Sequence, residues 1–262
     1  MDGTTMNMTG SSRLWNWRAT VERTVFFALL ALLWEYAVTL FQIKSYLLPP
    51  LSRVLESLWA NKIILLQHSL VTTWEIVLGY IAAVFGGLAL GLAIFAWPMG
   101  QRLLYPLVVL FQGLPKVALA PLMVVWIGYG TSSKVLMAFL FAFFPVVIAT
   151  LGGLAGTPAH LIEHFKSIGA SRLTTFRRLE MPAALPAIMD GCKTAMPLAV
   201  IGAIVGEFVG AQHGLGYLIL EANAAARTDL LFAALVAISI LATLLYWLVE
   251  IAANRVWWRA LT

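Results

Sequence analysis

The sequence predicts an all-α, polytopic integral membrane protein with six transmembrane helices and a cytoplasmic elbow between the fourth and the fifth. Three observations predict it. Of 262 residues, 61% are hydrophobic and only 11% are charged, well short of the roughly 25% of a soluble domain and too few to cover a globule. Six stretches each supply the ~20 mainly apolar residues that cross a hydrocarbon core of roughly 30 Å. Lysine and arginine also fall unequally between alternate connections.

The first span, 24–42, follows a tail, 1–23, that carries Arg13, Arg18 and Arg23. A signal peptide is the competing reading, but the run is long enough to span and no small-x-small cleavage pattern follows "TLFQIKSY". An uncleaved helix is expected. The segment Leu47–Leu66 reads as an amphipathic helix on the far face. In the second span, 70–97, Gly79, Gly86, Gly87 and Gly91 recur at helical spacing and let another helix approach closely. The third, 103–127, is interrupted by "GLPKVALAP", where Pro115 and Pro121 each remove a backbone donor. Such a break at membrane depth is tolerated only inside protein or beside a water-filled cavity. The fourth, fifth and sixth spans are read at 134–152, 185–206 and 229–251, with a tail at 252–262. The transmembrane domain is therefore placed at 24–251, with one charged loop inside it, 159–182.

With the N-terminus inside, the cytoplasmic segments hold Arg13, Arg18, Arg23, Arg102, Lys166, Arg172, Arg177, Arg178, Arg255 and Arg259. The outer loops hold Lys44, Arg53, Lys62, Lys134 and Arg227. That two-to-one bias places both termini and the loop 159–182 in the cytoplasm. Positive residues scattered between apolar runs, without one basic stripe, argue against a nucleic-acid partner. The single cysteine, Cys192, rules out an internal disulfide.

The charged loop organises itself around Gly169. From Ala159 to Ile168, the apolar residues Leu161, Ile162, Phe165 and Ile168 share one helical face, while His160, Glu163, His164 and Ser167 take the other. Gly169 stops that helix because glycine takes a left-handed turn cheaply. Ser171 is a good N-cap for a second short helix, with Leu173, Phe176 and Leu179 on one face and Arg172, Arg177 and Arg178 on the other. Pro182 is expected to close it, with Pro186 one turn on, and to turn the chain back into the membrane. Such an elbow either rests on lipid headgroups or seats in a groove on a partner. His160 and His164, at i,i+4 spacing, are a possible zinc pair, but no cysteine or carboxylate cluster accompanies them and no metal site is expected.

The spacing Glu163, then Gly169, then Leu179-x-Met181-Pro182 resembles the "EAA" loop of the binding-protein-dependent ABC importer permeases. That motif runs Glu-Ala-Ala, three residues, Gly, nine residues, Ile-x-Leu-Pro. The chain departs from it at His164 and Phe165, where alanines are usual, and at Leu179 and Met181. "LPKVALAPLMVVWIGYGTSSKVLMAFLFAFFP", "PAALPAI", "AVIGAIVGEFVG" and "GLGYLI" extend the likeness from about Leu48 to near Trp258. They resemble the nitrate, sulfonate and taurine branch of these permeases.

The resemblance implies a type I ABC importer permease fold, a homodimer with its cavity at the dimer interface, and a bacterial inner-membrane location. It implies cytoplasmic ABC ATPase subunits and a periplasmic or lipid-anchored substrate-binding protein as partners. It also makes Glu163, His164, Phe165, Gly169, Ala170, Ser171, Arg172 and Pro182 an ATPase-coupling loop, and places Gly210–Asp229 on the side where the binding protein docks. No cofactor of the chain's own is implied, because ATP would be bound by the partner. Consistently, the sequence has no Gly-x4-Gly-Lys-Ser/Thr phosphate loop.

An ionised side chain at bilayer depth costs at least ~2.5–3.5 kcal/mol, so each needs a partner or a cavity. Lys116 in the broken third span and Glu207 at the outer end of the fifth are singled out. They either pair with each other, or snorkel to opposite interfaces, or serve the solute. In the last case Lys116 and Gln112 line a cavity attractive to a small anion, and Glu207, Gly214 and Gly216 belong to the outer gate. Glu35, Glu75, Asp190 and Lys193 read as solvated or headgroup-facing, with Asp190 and Lys193 close enough to pair. His68 and His213 read as interfacial.

The function expected is therefore permeation of a nitrate-, sulfonate- or taurine-like anion. A pyrimidine vitamin precursor, riboflavin or an aromatic acid is the alternative within the same class. A self-sufficient secondary transporter would show internal repeats or paired intramembrane acids, and a membrane enzyme would need a nucleophile and base on facing helices. Neither pattern is read in the sequence.

Overall fold

A computed structural model describes residues 12–257, and these form eleven α-helices with no strand among the described residues. The outermost parts of the two tails, 1–11 and 258–262, including Arg259, lie outside the described residues. Five helices are long and apolar enough to span a bilayer, and a bent pair makes a sixth if counted as one broken span.

Helix α1 (Ser12–Leu40) takes in much of the expected N-terminal tail. Helix α2 (Leu51–Ala60) and α3 (Lys62–Ala96) meet at Asn61, so the amphipathic helix expected over Leu47–Leu66 is shorter and the second span begins sooner. Glu35 of α1 accepts hydrogen bonds from the Ser52 N–H (3.1 Å) and hydroxyl (2.8 Å), capping α2 from a neighbouring helix.

The third span is α4 (Pro98–Gln112), a 3-10 turn at Lys116–Leu119 and α5 (Ala120–Ile127), with the two halves meeting at 84°. Pro115 stands at the break. Pro121 opens α5, where a missing N–H is harmless, so it begins a helix and does not interrupt one.

Helix α6 (Thr131–Ala155) is the central post, packed between α3 and α9 (Met181–Gly210). Glycines permit the approach on both sides. A Cβ on Gly79 or Gly87 of α3 would stand 2.5 Å from Ala138 Cβ or 2.8 Å from Val146 Cβ, and one on Gly91 2.7 Å from Thr150 Cβ. Gly86 sits on the flank, at ordinary contact distance from Phe139 and Phe143. From the other side Gly191, Gly202 and Gly206 of α9 close on α6 in the same way. Lipid tails are as apolar as these side chains, so close van der Waals packing replaces the hydrophobic effect as the main association force. Ile76, Ala83, Ala142, Val146, Ala195 and Ala199 fill the seam.

Two short helices, α7 (Ala159–Ser167) and α8 (Arg172–Thr175), follow α6. Pro182 does not close α8. A π-helical turn, Phe176–Glu180, joins α8 to α9, and the helical segment runs unbroken from Arg172 to Gly210. The Met181 N–H reaches back five residues to the Phe176 carbonyl. That widened turn relieves the clash between the Pro182 ring and the carbonyl four residues earlier that would otherwise end the helix. Beyond α9 come α10 (Leu215–Ala224) and α11 (Thr228–Trp257), which takes in part of the expected C-terminal tail.

Candidate functional site

The elbow is built by two local rules. Gly169 holds φ at +76°. The N–H of Ala170 bonds the Phe165 carbonyl at 3.0 Å and the N–H of Gly169 bonds the Lys166 carbonyl at 3.0 Å, the paired bonds of a Schellman C-cap. Ser171 Oγ then accepts the Thr174 N–H at 3.2 Å and caps α8. Ile162 and Phe165 are half-buried, whereas Ile168 and Leu173 remain 65% and 58% exposed. Glu163, His164 and Arg172 point outward beside them. An apolar surface rimmed by charge thus stands at the end of a continuous helix of 39 residues. At 1.5 Å per residue that helix is about 58 Å long, nearly twice the hydrocarbon thickness. Phe176 fixes the root of the elbow against Phe95, with ring centroids 6.4 Å apart.

At the break of the third span, Lys116 Nζ donates to the Gln112 carbonyl at 3.1 Å and stands 5.2 Å from the ring centroid of Phe144 and 5.9 Å from that of Phe141. Lys116 and Gln112 therefore meet. Lys116 does not pair with Glu207, which takes its partners elsewhere.

Glu207, 1% exposed, lies near the end of α9 opposite the elbow. Its Oε2 accepts the Gly216 N–H at 2.5 Å, and its Oε1 accepts the Thr72 hydroxyl at 2.6 Å. Thr72 Oγ1 in turn accepts the Leu215 N–H at 2.8 Å, and His68 Nδ1 accepts the Gly214 N–H at 2.9 Å. Gly214, Leu215 and Gly216 form the start of α10, whose N–H groups have no partner within their own helix. Side chains from α3 and α9 satisfy all three. Both glycines are required: Gly214 has φ +112°, and a Cβ on Gly216 would stand 2.8 Å from Glu207 Oε2. A Cβ on Gly214 would collide with the Glu207 carboxyl outright.

Two charges join this end. Glu75 is 3% exposed and not headgroup-facing, because the close α3–α6 contact buries it beside Glu207. Lys134, counted above in an outer loop, is 2% exposed in the first turn of α6. Its ammonium donates to the carbonyls of Tyr129 (2.5 Å), Gly130 (3.1 Å) and Gly210 (2.6 Å), locking the α5–α6 corner to the end of α9. His68 is half-buried and tied to Gly214, while His213 is exposed. Asp190 and Lys193 pair at 3.3 Å on α9. His160 and His164 lie on the exposed face of α7, and no group of three or more potential metal ligands occurs among the described residues.

The structure thus brings Glu207, Gly214 and Gly216 together, and Lys116 with Gln112. Sequence reasoning missed Thr72, Glu75, His68 and Lys134 as members of the cluster. A lone charge within or bordering an apolar span was the available signal for Glu75 and Lys134. Nothing local marks Thr72. On the same side, a cleft of 790 Å³ opens between α2 and the α10–α11 connection, with Arg53, Glu56, Arg227 and Asp229 among its walls.

Residues 76–258 match the family model described as "Binding-protein-dependent transport system inner membrane component". A protein of Haemophilus influenzae named "Probable ABC transporter permease protein" is 37% identical over 87% of this chain and 94% of its own length. The formylaminopyrimidine transport permease ThiX of Halalkalibacterium halodurans is 38% identical over 75% of this chain and 79% of its own. The taurine transport permease TauC of Escherichia coli is 32% identical, covering 88% of each. Among solved structures, a chain of the inward-facing MetNI methionine ABC transporter superposes with a TM-score of 0.58 at 21% identity, covering 71% of this chain and 93% of that one. It shares the fold.

Proposed function

This chain belongs to the family of binding-protein-dependent transport system inner membrane components, and from that premise we propose that it lines the solute path of an ABC importer driven through its elbow. The observation that carries the proposal is the exposed apolar surface of Leu161, Ile168 and Leu173 at the root of the 39-residue helix. Glu163, His164, Phe165, Gly169, Ala170, Ser171, Arg172 and Pro182 form the seat of a cytoplasmic ATPase subunit. Closure of two ATPase subunits on ATP moves the elbows, and the helices fixed to them exchange outward- and inward-facing arrangements. The chain has no chemistry of its own to supply. It is a transport subunit, and hydrolysis is the work of the partner.

The remaining assembly follows from this reading. Both termini and the elbow face the cytoplasm of a bacterial inner membrane, and the charged cleft at Arg53 and Arg227 faces the substrate-binding protein. Two copies of the chain enclose the path. The exposed Val125, Trp126 and Tyr129, at and just beyond the end of α5, support that pairing. Lys116 and Gln112 line the path, and Glu207 with Gly214 and Gly216 forms its outer gate.

The Lys116 ammonium supports a solute with an anionic group, in keeping with the taurine permease relative. A second reading, a pyrimidine precursor, is favoured by the rings of Phe141 and Phe144 around the same lysine and by the formylaminopyrimidine relative.

The test is reconstitution of the chain in liposomes with its co-purified ATPase and binding protein, followed by uptake of radiolabelled taurine and formylaminopyrimidine. Uptake that requires both partners and ATP is expected. Solute movement by the chain alone, without ATP, would return the protein to the secondary transporters.

A further inference from the structure

The start of α10 is held by three side chains that belong to two other helices. His68 and Thr72 project from α3, one turn apart, and Glu207 projects from α9. Each takes one successive N–H, of Gly214, Leu215 and Gly216, at 2.9, 2.8 and 2.5 Å. The Thr72 hydroxyl also donates to Glu207 at 2.6 Å, so the α3 and α9 halves are bonded to each other as well as to α10. Thr72 and Glu207 are buried, and water cannot replace the bonds they make. The His68 ring stacks on Tyr217, with centroids 6.1 Å apart, and this contact adds a second grip on α10. Lys134 completes the junction by tying Gly210, the last residue of α9, to the start of α6.

The opposite end of that α9 segment is the elbow. One continuous helix, Arg172–Gly210, therefore carries the Gly169–Ser171 corner at one membrane face and the grip on α10 at the other. Separating α10 from α9 would strand several buried polar groups at once. Displacing the three helices together strands none.

We propose that His68, Thr72 and Glu207 act as a clamp that makes α10 travel with α3 and α9, carrying displacement of the elbow to the face where α10 begins. His68 and Thr72 are positioning residues: they touch no solute and act through α10. The proposal rests on the elbow being the seat of the ATPase, and it adds the residues that connect that seat to the opposite face of the membrane.

The experiment uses the complete assembly in nanodiscs and reads ATP hydrolysis with and without saturating binding protein. Thr72→Val removes the hydroxyl at constant shape, whereas Thr72→Ser keeps it. His68→Leu removes the acceptor, whereas His68→Asn places an amide oxygen near the position of Nδ1. The expected result is that Val and Leu lower the stimulation by binding protein about tenfold, as for loss of a buried hydrogen bond that transmits coupling. Basal hydrolysis and co-purification of the ATPase stay unchanged, and Ser and Asn restore stimulation. Full stimulation in both Thr72→Val and His68→Leu would overturn the clamp. So would a parallel loss of basal hydrolysis and assembly, which marks a purely structural role. Gly169→Pro separates the two levels. Normal coupling in that variant removes the elbow reading, whereas lost coupling there beside normal Thr72→Val and His68→Leu removes the clamp alone.

Discussion

Gly202 of α9 lies so near Met137 of α6 that a Cβ on it would stand 2.5 Å from the Met137 carbonyl oxygen and 2.8 Å from the Ala138 Cα. Both are backbone atoms of the central helix and cannot swing aside. Gly202→Ala is therefore expected to destabilise the bundle by about 1–3 kcal/mol, the usual cost of overpacking. Gly152→Ala is the control, because a Cβ there meets nothing within 4 Å. In a helix interior that change should stabilise by roughly 0.5–1 kcal/mol. Thermal unfolding of the two variants in one detergent reads both signs.

Gly169→Pro alters the elbow without touching the bundle. Proline fixes φ near −65°, against +76° here, and removes the N–H that bonds the Lys166 carbonyl. Nothing lies within 4 Å of a Cβ at this position, so packing is not involved. Retention of the ATPase on the purified chain should fall at least about tenfold, the equivalent of roughly 1.4 kcal/mol. The melting midpoint should stay near that of the wild type. Equal retention by the variant would separate the elbow from ATPase binding.

Lys116→Met tests the nature of the solute. Charge-assisted hydrogen bonds are worth about 1.5–3 kcal/mol, so losing the ammonium should raise the half-saturating concentration of an anionic solute at least tenfold or so. A neutral pyrimidine should be transported as before. Uptake measured for both solutes over a concentration series distinguishes the two readings.

Glu75→Gln is expected to leave stability unchanged or to raise it. Oε2 of Glu75 is buried with no hydrogen-bond partner, and a buried unsatisfied polar atom is costly. The amide keeps the shape, carries no charge and sets an N–H beside the Glu207 carboxyl, which can accept it. A drop in melting midpoint comparable to that of Gly202→Ala would mean that the charge itself holds Lys134 in place.

The spans and the elbow were legible in the sequence because each depends on neighbours in the chain. About twenty apolar residues in a row announce a crossing, and Gly169 and Ser171 each act within a few residues of themselves. The end of α8 was misread because a proline normally breaks a helix, and only the π-helical turn before Pro182 accommodates it. Glu75 and Lys134 were taken for solvated charges, since one sequence does not say that glycines bring α3 and α9 onto α6 around them. The clamp was illegible for the same reason. Glu207 was singled out for its place in a span, but Thr72 stands 135 residues from it and His68 stands 146 residues from Gly214. No periodicity connects such distances; the order in which helices pack connects them.

Helix α1 is joined to the later helices near its end, by Glu35 on Ser52, by Trp34 Nε1 on the Pro49 carbonyl at 3.2 Å, and by the Trp34 ring beside Phe232. Between Thr20 and Leu40, Val38 alone is buried. During synthesis α1 can leave the translocon and reside in lipid as a finished helix, because its backbone bonds are internal and its side chains await little. Its ties to Pro49 and Ser52 span no more than 17 residues of chain and can form once α2 follows it, whereas the Trp34–Phe232 contact waits for α11. Helix α1 is thus anchored to its neighbour early and to the bundle late.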